Sequence, residues 1–192
     1  QLGVLFPPGY PLVLALGVKL GHPLLVGPTL GALLVAATYR LARVLGQARP
    51  VAWLAAGLSA LCAALRYHTA DTMSHGLSAL LVCAALTFAL DRRRRGAALC
   101  SGLCLGLLVA TRPVSAAVAG VLVGYALKGE RRSWLPLLLG SLPGLALLLA
   151  HQHALTGSFF GSTQLAYYAA SDAPAGCFRY GFGEGVGCRF EH

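Results

Sequence analysis

The sequence predicts an all-α protein, a polytopic bundle of about six transmembrane helices with both chain ends on the extracytoplasmic side. Of its 192 residues, 57% are hydrophobic and only 11% are charged, whereas a water-soluble domain has about 25% charged residues. The mean hydropathy is +0.70, which also excludes a disordered chain, because such chains are poor in apolar residues. Long apolar runs between short charged segments therefore indicate a membrane protein.

The apolar runs define the predicted spans. A helix needs about 20 mostly apolar residues to cross the hydrocarbon, because unpaired backbone amides are too costly there. Runs bounded by charge lie at about 24–45, 51–65, 76–90, 96–127 and 134–150. The run 96–127 is too long for one ordinary span, so we expect a tight helical hairpin with Arg112 at its tip. The runs 51–65 and 76–90 are short and would cross where the bilayer thins around them.

The charge distribution predicts the orientation. The net charge is +9, from 15 basic and 6 acidic residues. Six spans sort the loops into two sets, and one set holds ten basic residues: Arg40, Arg43, Arg49, Arg92, Arg93, Arg94, Arg95, Lys128, Arg131 and Arg132. The positive-inside rule places this set in the cytoplasm. The basic excess is thus mainly an orientation signal, and it disfavours nucleic acid as a partner, since no single soluble face collects the charge.

The predicted organisation has three parts. Residues 1–23 form an outward loop, 24–150 form the six-span core, and 151–192 form an outward loop rich in glycine and aromatic residues. Prolines stiffen the first loop, and its apolar stretch 12–20 is either a helix lying in the membrane interface or a plain linker. We expect a piece of a longer protein, because the chain begins without Met in an apolar stretch and stops within an outward loop.

The turn between the second and third predicted spans is the first candidate site. It reads Arg66-Tyr67-His68-Thr69-Ala70-Asp71-Thr72-Met73-Ser74-His75, in a chain that otherwise avoids polar groups. Polar clusters at membrane depth are costly and therefore suggest function, although a turn in water is polar for solvation alone. The closeness of Arg66 and Asp71 to the predicted helix ends favours function, with Tyr67 and His75 as candidate substrate-contacting residues.

Arg112 is the second candidate. It lies between two apolar runs and immediately before Pro113, which favours a helix start. An arginine there places a permanent cation at the outer head-group level, where it suits a phosphate. The same side chain could instead satisfy helix C-terminal carbonyls at its own turn, and the sequence leaves both roles open.

The tail contains the third set of candidates. Glycine alternates with aromatic residues between Cys177 and Cys188, and such a loop can approach a ligand closely and stack on a sugar or a lipid head group. Tyr180 and Glu184 are its candidate substrate-contacting residues. On the oxidising side of the membrane Cys177 and Cys188 either form a disulfide or remain two free thiols.

The sequence predicts no metal site. The candidate ligands in the tail match no tight ligand spacing; they are His151, His153, Glu184, Glu191 and His192. No cofactor is indicated with certainty, and a divalent metal is left open.

Several stretches occur in the order found in one enzyme family. The chain resembles the GT-C class of multi-spanning glycosyltransferases, typified by protein O-mannosyltransferases and the bacterial aminoarabinose transferase. Their order and spacing carry the resemblance, which covers most of the chain. The matching stretches are Phe6-Pro-Pro-Gly-Tyr-Pro11, Gly27 to Arg43, Met73-Ser74-His75, Gly102 to Pro113 and Ala154-Leu-Thr-Gly-Ser158.

The resemblance implies an inverting transfer of a sugar from a polyprenyl-phosphate-linked donor to an acceptor at the outer face of the bacterial plasma membrane. It implies that Arg112 and Arg66 hold the donor phosphate. The acidic residue that the family uses as general base would lie upstream of Gln1, so the chain alone is expected to be inactive, and Asp71 is a weak local substitute. The competing hypotheses are a membrane transporter or lipid flippase and a non-catalytic membrane scaffold.

Overall fold

The structure is a computed structural model that describes residues 6–70, 73–91 and 96–163. Every regular element in these ranges is helical, which confirms the all-α prediction for this part of the chain. A 3-10 turn at Pro23–Leu25 joins the first two helices. The helices are α1 (Gly9–Lys19), α2 (Val26–Val44), α3 (Arg49–Leu61), α4 (Ala63–Ala70), α5 (His75–Leu90), α6 (Ala97–Val109), α7 (Pro113–Ala126) and α8 (Arg131–Thr156).

The chain divides into two compact units. The larger lies within Pro7–Leu148, and the described residues of the smaller are Phe6 and 149–163. The contacts around the candidate site all lie within the larger unit. In the smaller unit, the ring of His153 stacks on that of Phe159 with their centroids 4.4 Å apart.

Apolar helices long enough to cross a membrane are present. By length and composition Pro23–Val44 and Arg131–Thr156 each qualify, and α3 with α4 would make a third span if the bent pair counts as one. The apolar helices α1, α5, α6 and α7 are shorter, at 11 to 16 residues. The count of six spans and the outward placement of both chain ends therefore stay predictions.

The second predicted span is broken. The helix ends at Leu61, Cys62 has extended backbone angles (φ −63°, ψ 114°), and the chain resumes as α4 at an angle of 60°. Before the break, the Ser59 hydroxyl donates a hydrogen bond to the Ala56 carbonyl at 2.7 Å, a back-bond that commonly bends helices. Because α4 continues to Ala70, residues 66–70 are helical, whereas the sequence predicted a turn there.

The hairpin predicted within 96–127 has its turn where the sequence placed it. Helix α6 ends at Val109, and α7 begins at Pro113. Arg112 precedes α7 with an extended backbone (φ −148°, ψ 90°), and its N–H donates to the Leu108 carbonyl at 2.7 Å. Pro113 follows because proline lacks the N–H that the first turn of a helix leaves unpaired.

Helix α5 packs against α2, α6 and α7 and lies at the centre of the core. Leu108 and Val123 are fully buried beside it. The Ser101 hydroxyl is also fully buried and donates to the Ala85 carbonyl at 2.9 Å, which ties α6 to α5. Such interhelical hydrogen bonds contribute about 0.6–2 kcal/mol in membrane proteins.

Helices α6 and α8 approach each other closely along two pairs of glycines. Gly102 and Gly106 on α6 meet Gly140 and Gly144 on α8, and each pair has the four-residue spacing of a small-residue packing motif. A Cβ atom on any of these four glycines would collide with backbone atoms of the facing helix. The absence of a side chain at these positions is therefore what allows the contact.

Candidate functional site

The first part of the site is the contact between the start of α1 and the end of α6. The Gly9 N–H donates to the Ala110 carbonyl at 2.8 Å. A Cβ at Gly9 would collide with that carbonyl and with the Thr111 hydroxyl, so only glycine allows this approach. Pro8, Gly9 and Tyr10 are buried, and Thr111 is 3% exposed. The Pro-Pro-Gly-Tyr stretch and the Thr-Arg-Pro stretch are thus neighbours.

Arg112 extends from this junction to α5. Its guanidinium donates a hydrogen bond to Nδ1 of His75, the first residue of α5, and both side chains are half-buried. Because arginine has donors and no acceptor, Nδ1 of His75 is the acceptor in this contact. The contact uses one guanidinium nitrogen of Arg112, whose side chain carries five N–H donors in all.

The last turn of α4 completes the cluster. The His68 ring lies 4.7 Å from the His75 ring, between centroids. Helix α4 comes this close because Gly76 has no side chain: a Cβ there would be 3.2 Å from Thr69 Cα. The polar side chains of His68, His75 and Arg112 therefore lie together at one end of α4, α5 and α7.

Arg66 does not belong to this cluster and instead lines a separate groove. The groove is bounded by α2 and by the bent pair α3 and α4, and its volume is about 370 Å³. Arg66 is exposed, and Thr69 approaches the position of a Cβ at Gly31 to 3.4 Å. The groove is lined by Pro28, Gly31, Ala32, Leu34, Val35, Ser59, Ala60, Leu65, Arg66 and Thr69.

Neither arginine is neutralised within the described part of the chain. Asp91 and Glu130 are the carboxylates there, and neither forms an ion pair with Arg66 or Arg112. A half-buried guanidinium without a carboxylate can bind an anion through charge-assisted hydrogen bonds. The apolar walls next to Arg66 would suit the hydrocarbon part of the same molecule.

The predicted site residues have different outcomes. The structure brings Arg112 and His75 into contact and places Arg66 on the groove. Tyr67 is 69% exposed and its ring meets the edge of His68 with centroids 5.4 Å apart. The remaining predicted residues lie outside the described ranges: Asp71, Cys177, Tyr180, Glu184 and Cys188.

Sequence reasoning did not single out His68 or the docking of Gly9 on Ala110. The sequence drew attention to His68 only as a member of the polar stretch. His68 and His75 are seven residues apart on either side of a helix break, and this spacing is the sequence feature that could have indicated their contact. The docking of Gly9 has no local sequence signal, since Ala110 is about a hundred positions away.

No three metal-ligating side chains come together in residues 6–70, 73–91 and 96–163. His151 is half-buried in α8, and His153 is exposed. Neither joins a group of potential ligands in those ranges.

Together these features describe a helical protein with apolar candidate spans and a half-buried basic cluster at one end of its helices. No family model, curated protein or solved structure matches the chain. The resemblance to glycosyltransferases therefore depends on the motifs in the sequence.

Proposed function

We propose that the chain is the membrane core of a glycosyltransferase that transfers a sugar from a polyprenyl-phosphate-linked donor to an acceptor at the outer face of the bacterial plasma membrane. The observation that carries this proposal is the meeting of three separate stretches around Arg112. Pro7–Pro11, Met73–His75 and Thr111–Pro113 are the stretches on which the resemblance rests, and the contacts of Gly9 and His75 bring all three together.

The chemistry of the cluster suits the departure of a phosphate. As the glycosyl bond breaks, negative charge develops on the phosphate of the donor, and a fixed guanidinium stabilises that charge. The Arg112 side chain is held by His75, so it is ordered before the donor binds. A guanidinium that is already held in place needs less reorganisation to bind the phosphate than one that rotates freely.

The groove beside Arg66 suits the lipid portion of the donor. Its walls are mainly alanine, leucine and valine, with Arg66 at the rim. From Pro28 to Val35 the α2 wall is about 10 Å long at 1.5 Å per residue, which accommodates the first isoprene units of a polyprenyl chain. In this arrangement the anionic head lies near the arginines and the chain continues into the bilayer.

The proposed topology uses six spans, formed by α2, the bent pair α3 and α4, then α5, α6, α7 and α8. Both chain ends would face outward, on the side of Arg112 and Arg66. In this proposal the described residues contribute donor binding, and none of them is assigned as the general base.

A lipid flippase is the second candidate function. The observation in its favour is the 60° break at Cys62 beside the groove, because transporters commonly build their binding sites at broken helices.

Reconstituted full-length protein tests both functions. Vesicles containing a radiolabelled polyprenyl-phosphate-linked sugar should show saturable donor binding that polyprenyl phosphate competes for and uncharged polyprenol does not. Sugar transfer to an acceptor supports the transferase. Movement of the donor between leaflets without transfer would support the flippase, and lack of any donor binding would contradict both.

A further inference from the structure

A second groove lies at the opposite end of α7 from Arg112, about 20 Å along the helix at 1.5 Å per residue. Helix α5 packs against both α2 and α7, and the C-terminal ends of these three helices border an open groove of about 560 Å³. Leucines form most of its lining: Leu41 on α2, Leu45 directly after α2, Leu86 and Leu90 on α5, and Leu122 on α7. The groove therefore offers a hydrocarbon-like surface where the helices end.

Among the described residues that line this groove, Lys128 is the one with a positive charge. Lys128 lines it, is exposed, and forms no ion pair with the carboxylates in the described ranges. Its backbone N–H bonds to the Tyr125 carbonyl at 3.1 Å, and Tyr125, 77% exposed, lines the same groove. The groove is apolar along its length and has a tyrosine and a lysine at its end. Tyrosine and lysine are residues that commonly lie at the level of the lipid head groups.

We propose that this groove binds an anionic phospholipid of the bilayer, with an acyl chain over Leu86 and Leu122 and the phosphate at Lys128. The charge of the surrounding sequence favours an anionic lipid over a neutral one, because Arg40, Arg43, Arg131 and Arg132 lie near the same helix ends. Anionic lipids are attracted to such basic segments on the cytoplasmic side. The site involves neither Arg112 nor the Arg66 groove, so it is independent of the proposed transferase activity.

The test uses the full-length protein in nanodiscs of dioleoylphosphatidylcholine and dioleoylphosphatidylglycerol, followed by native mass spectrometry of the lipids that stay bound. The wild-type protein should retain phosphatidylglycerol above its share of the bilayer. Lys128→Gln should reduce that preference about fivefold, the effect of one basic residue near a membrane surface. Lys19→Gln is the matched control, because Lys19 is an exposed lysine in the last turn of α1.

A second variant tests the groove without changing charge. Leu122 is 48% exposed and lines the space, so Leu122→Trp should fill it while the protein keeps its elution volume and helix content. Retention of both lipids should fall.

Four results would overturn the proposal. The first is an unchanged lipid preference in Lys128→Gln, and the second is an equal loss in Lys19→Gln. The third is displacement of the bound lipid by millimolar inorganic phosphate, which would mean that the groove contributes nothing. Retention of a second copy of the chain in place of lipid would also overturn it.

Discussion

The guanidinium of Arg112 donates a hydrogen bond to Nδ1 of His75, 37 residues earlier in the chain. The bond joins the residue before α7 to the first residue of α5. The side-chain contact observed for Arg112 is with an imidazole and not with a carbonyl of its own turn, and its role in binding a phosphate stays a prediction.

Replacing Arg112 should weaken binding of the polyprenyl-phosphate donor. A charge-assisted hydrogen bond contributes about 1.5–3 kcal/mol, so we expect Arg112→Ala to raise the Kd of the donor about 10- to 100-fold. Binding of uncharged polyprenol should not change. Arg49→Ala is the control, because Arg49 is exposed at the start of α3 and away from the groove. Equal donor affinity in wild type and Arg112→Ala would remove Arg112 from the site.

His75 is predicted to position Arg112 through its acceptor nitrogen. His75→Ala should therefore raise the Kd of the phosphate donor, whereas His75→Asn should restore most of the affinity, because the amide oxygen can accept from the guanidinium near the position of Nδ1. Thermal stability should be similar in both variants. If the asparagine variant binds as poorly as the alanine variant while folding normally, orientation of Arg112 is not the role of His75.

The glycines between α6 and α8 should tolerate no side chain. Alanine at Gly102, Gly106, Gly140 or Gly144 would press a Cβ into the backbone of the facing helix, and overpacking of this kind costs about 1–3 kcal/mol. The free energy of unfolding in detergent should fall by that amount for each variant.

Gly120→Ala is the matched control for these four changes. Gly120 is inside α7, and the described residues leave open space within 4 Å of its Cβ position. Replacing a helical glycine with alanine there should be neutral or should stabilise the protein by about 0.5–1 kcal/mol. A loss at Gly120 as large as at Gly102 would mean that the close helix contact is not responsible.

Filling the groove beside Arg66 should weaken binding of the lipid chain and spare the head group. Ala60→Phe would displace about 60 Å² of apolar contact, which at about 25 cal/mol per Å² corresponds to a roughly tenfold higher Kd for polyprenyl phosphate. Phosphate esters of a single isoprene unit should bind as before.

Ala64→Phe is the control for Ala60→Phe, since Ala64 is an exposed alanine on α4 outside the groove lining. Equal effects of the two variants would indicate a general disturbance of the bent pair rather than occupation of the groove.

The sequence predicted some local features of the site well and missed others. The hairpin turn at Arg112 was predictable because Pro113 ends one helical run and starts the next. The break at Cys62 was not predicted, because the run continues apolar through it without a proline, and the bend occurs where the Cys62 backbone becomes extended. The polar residues after the break were expected in a turn, but they belong to helix α4.

The sequence by itself determined that the chain is helical and apolar enough for a membrane, because in hydrocarbon each backbone amide must be paired within its own segment. Only the tertiary structure decided which helix ends meet. His75 reaches Arg112 because α5 packs beside α6 and α7. Gly9 reaches Ala110 because it has no side chain to keep α1 away from the end of α6. Such partners depend on how side chains fit between helices, and a local pattern of apolar residues does not specify that fit.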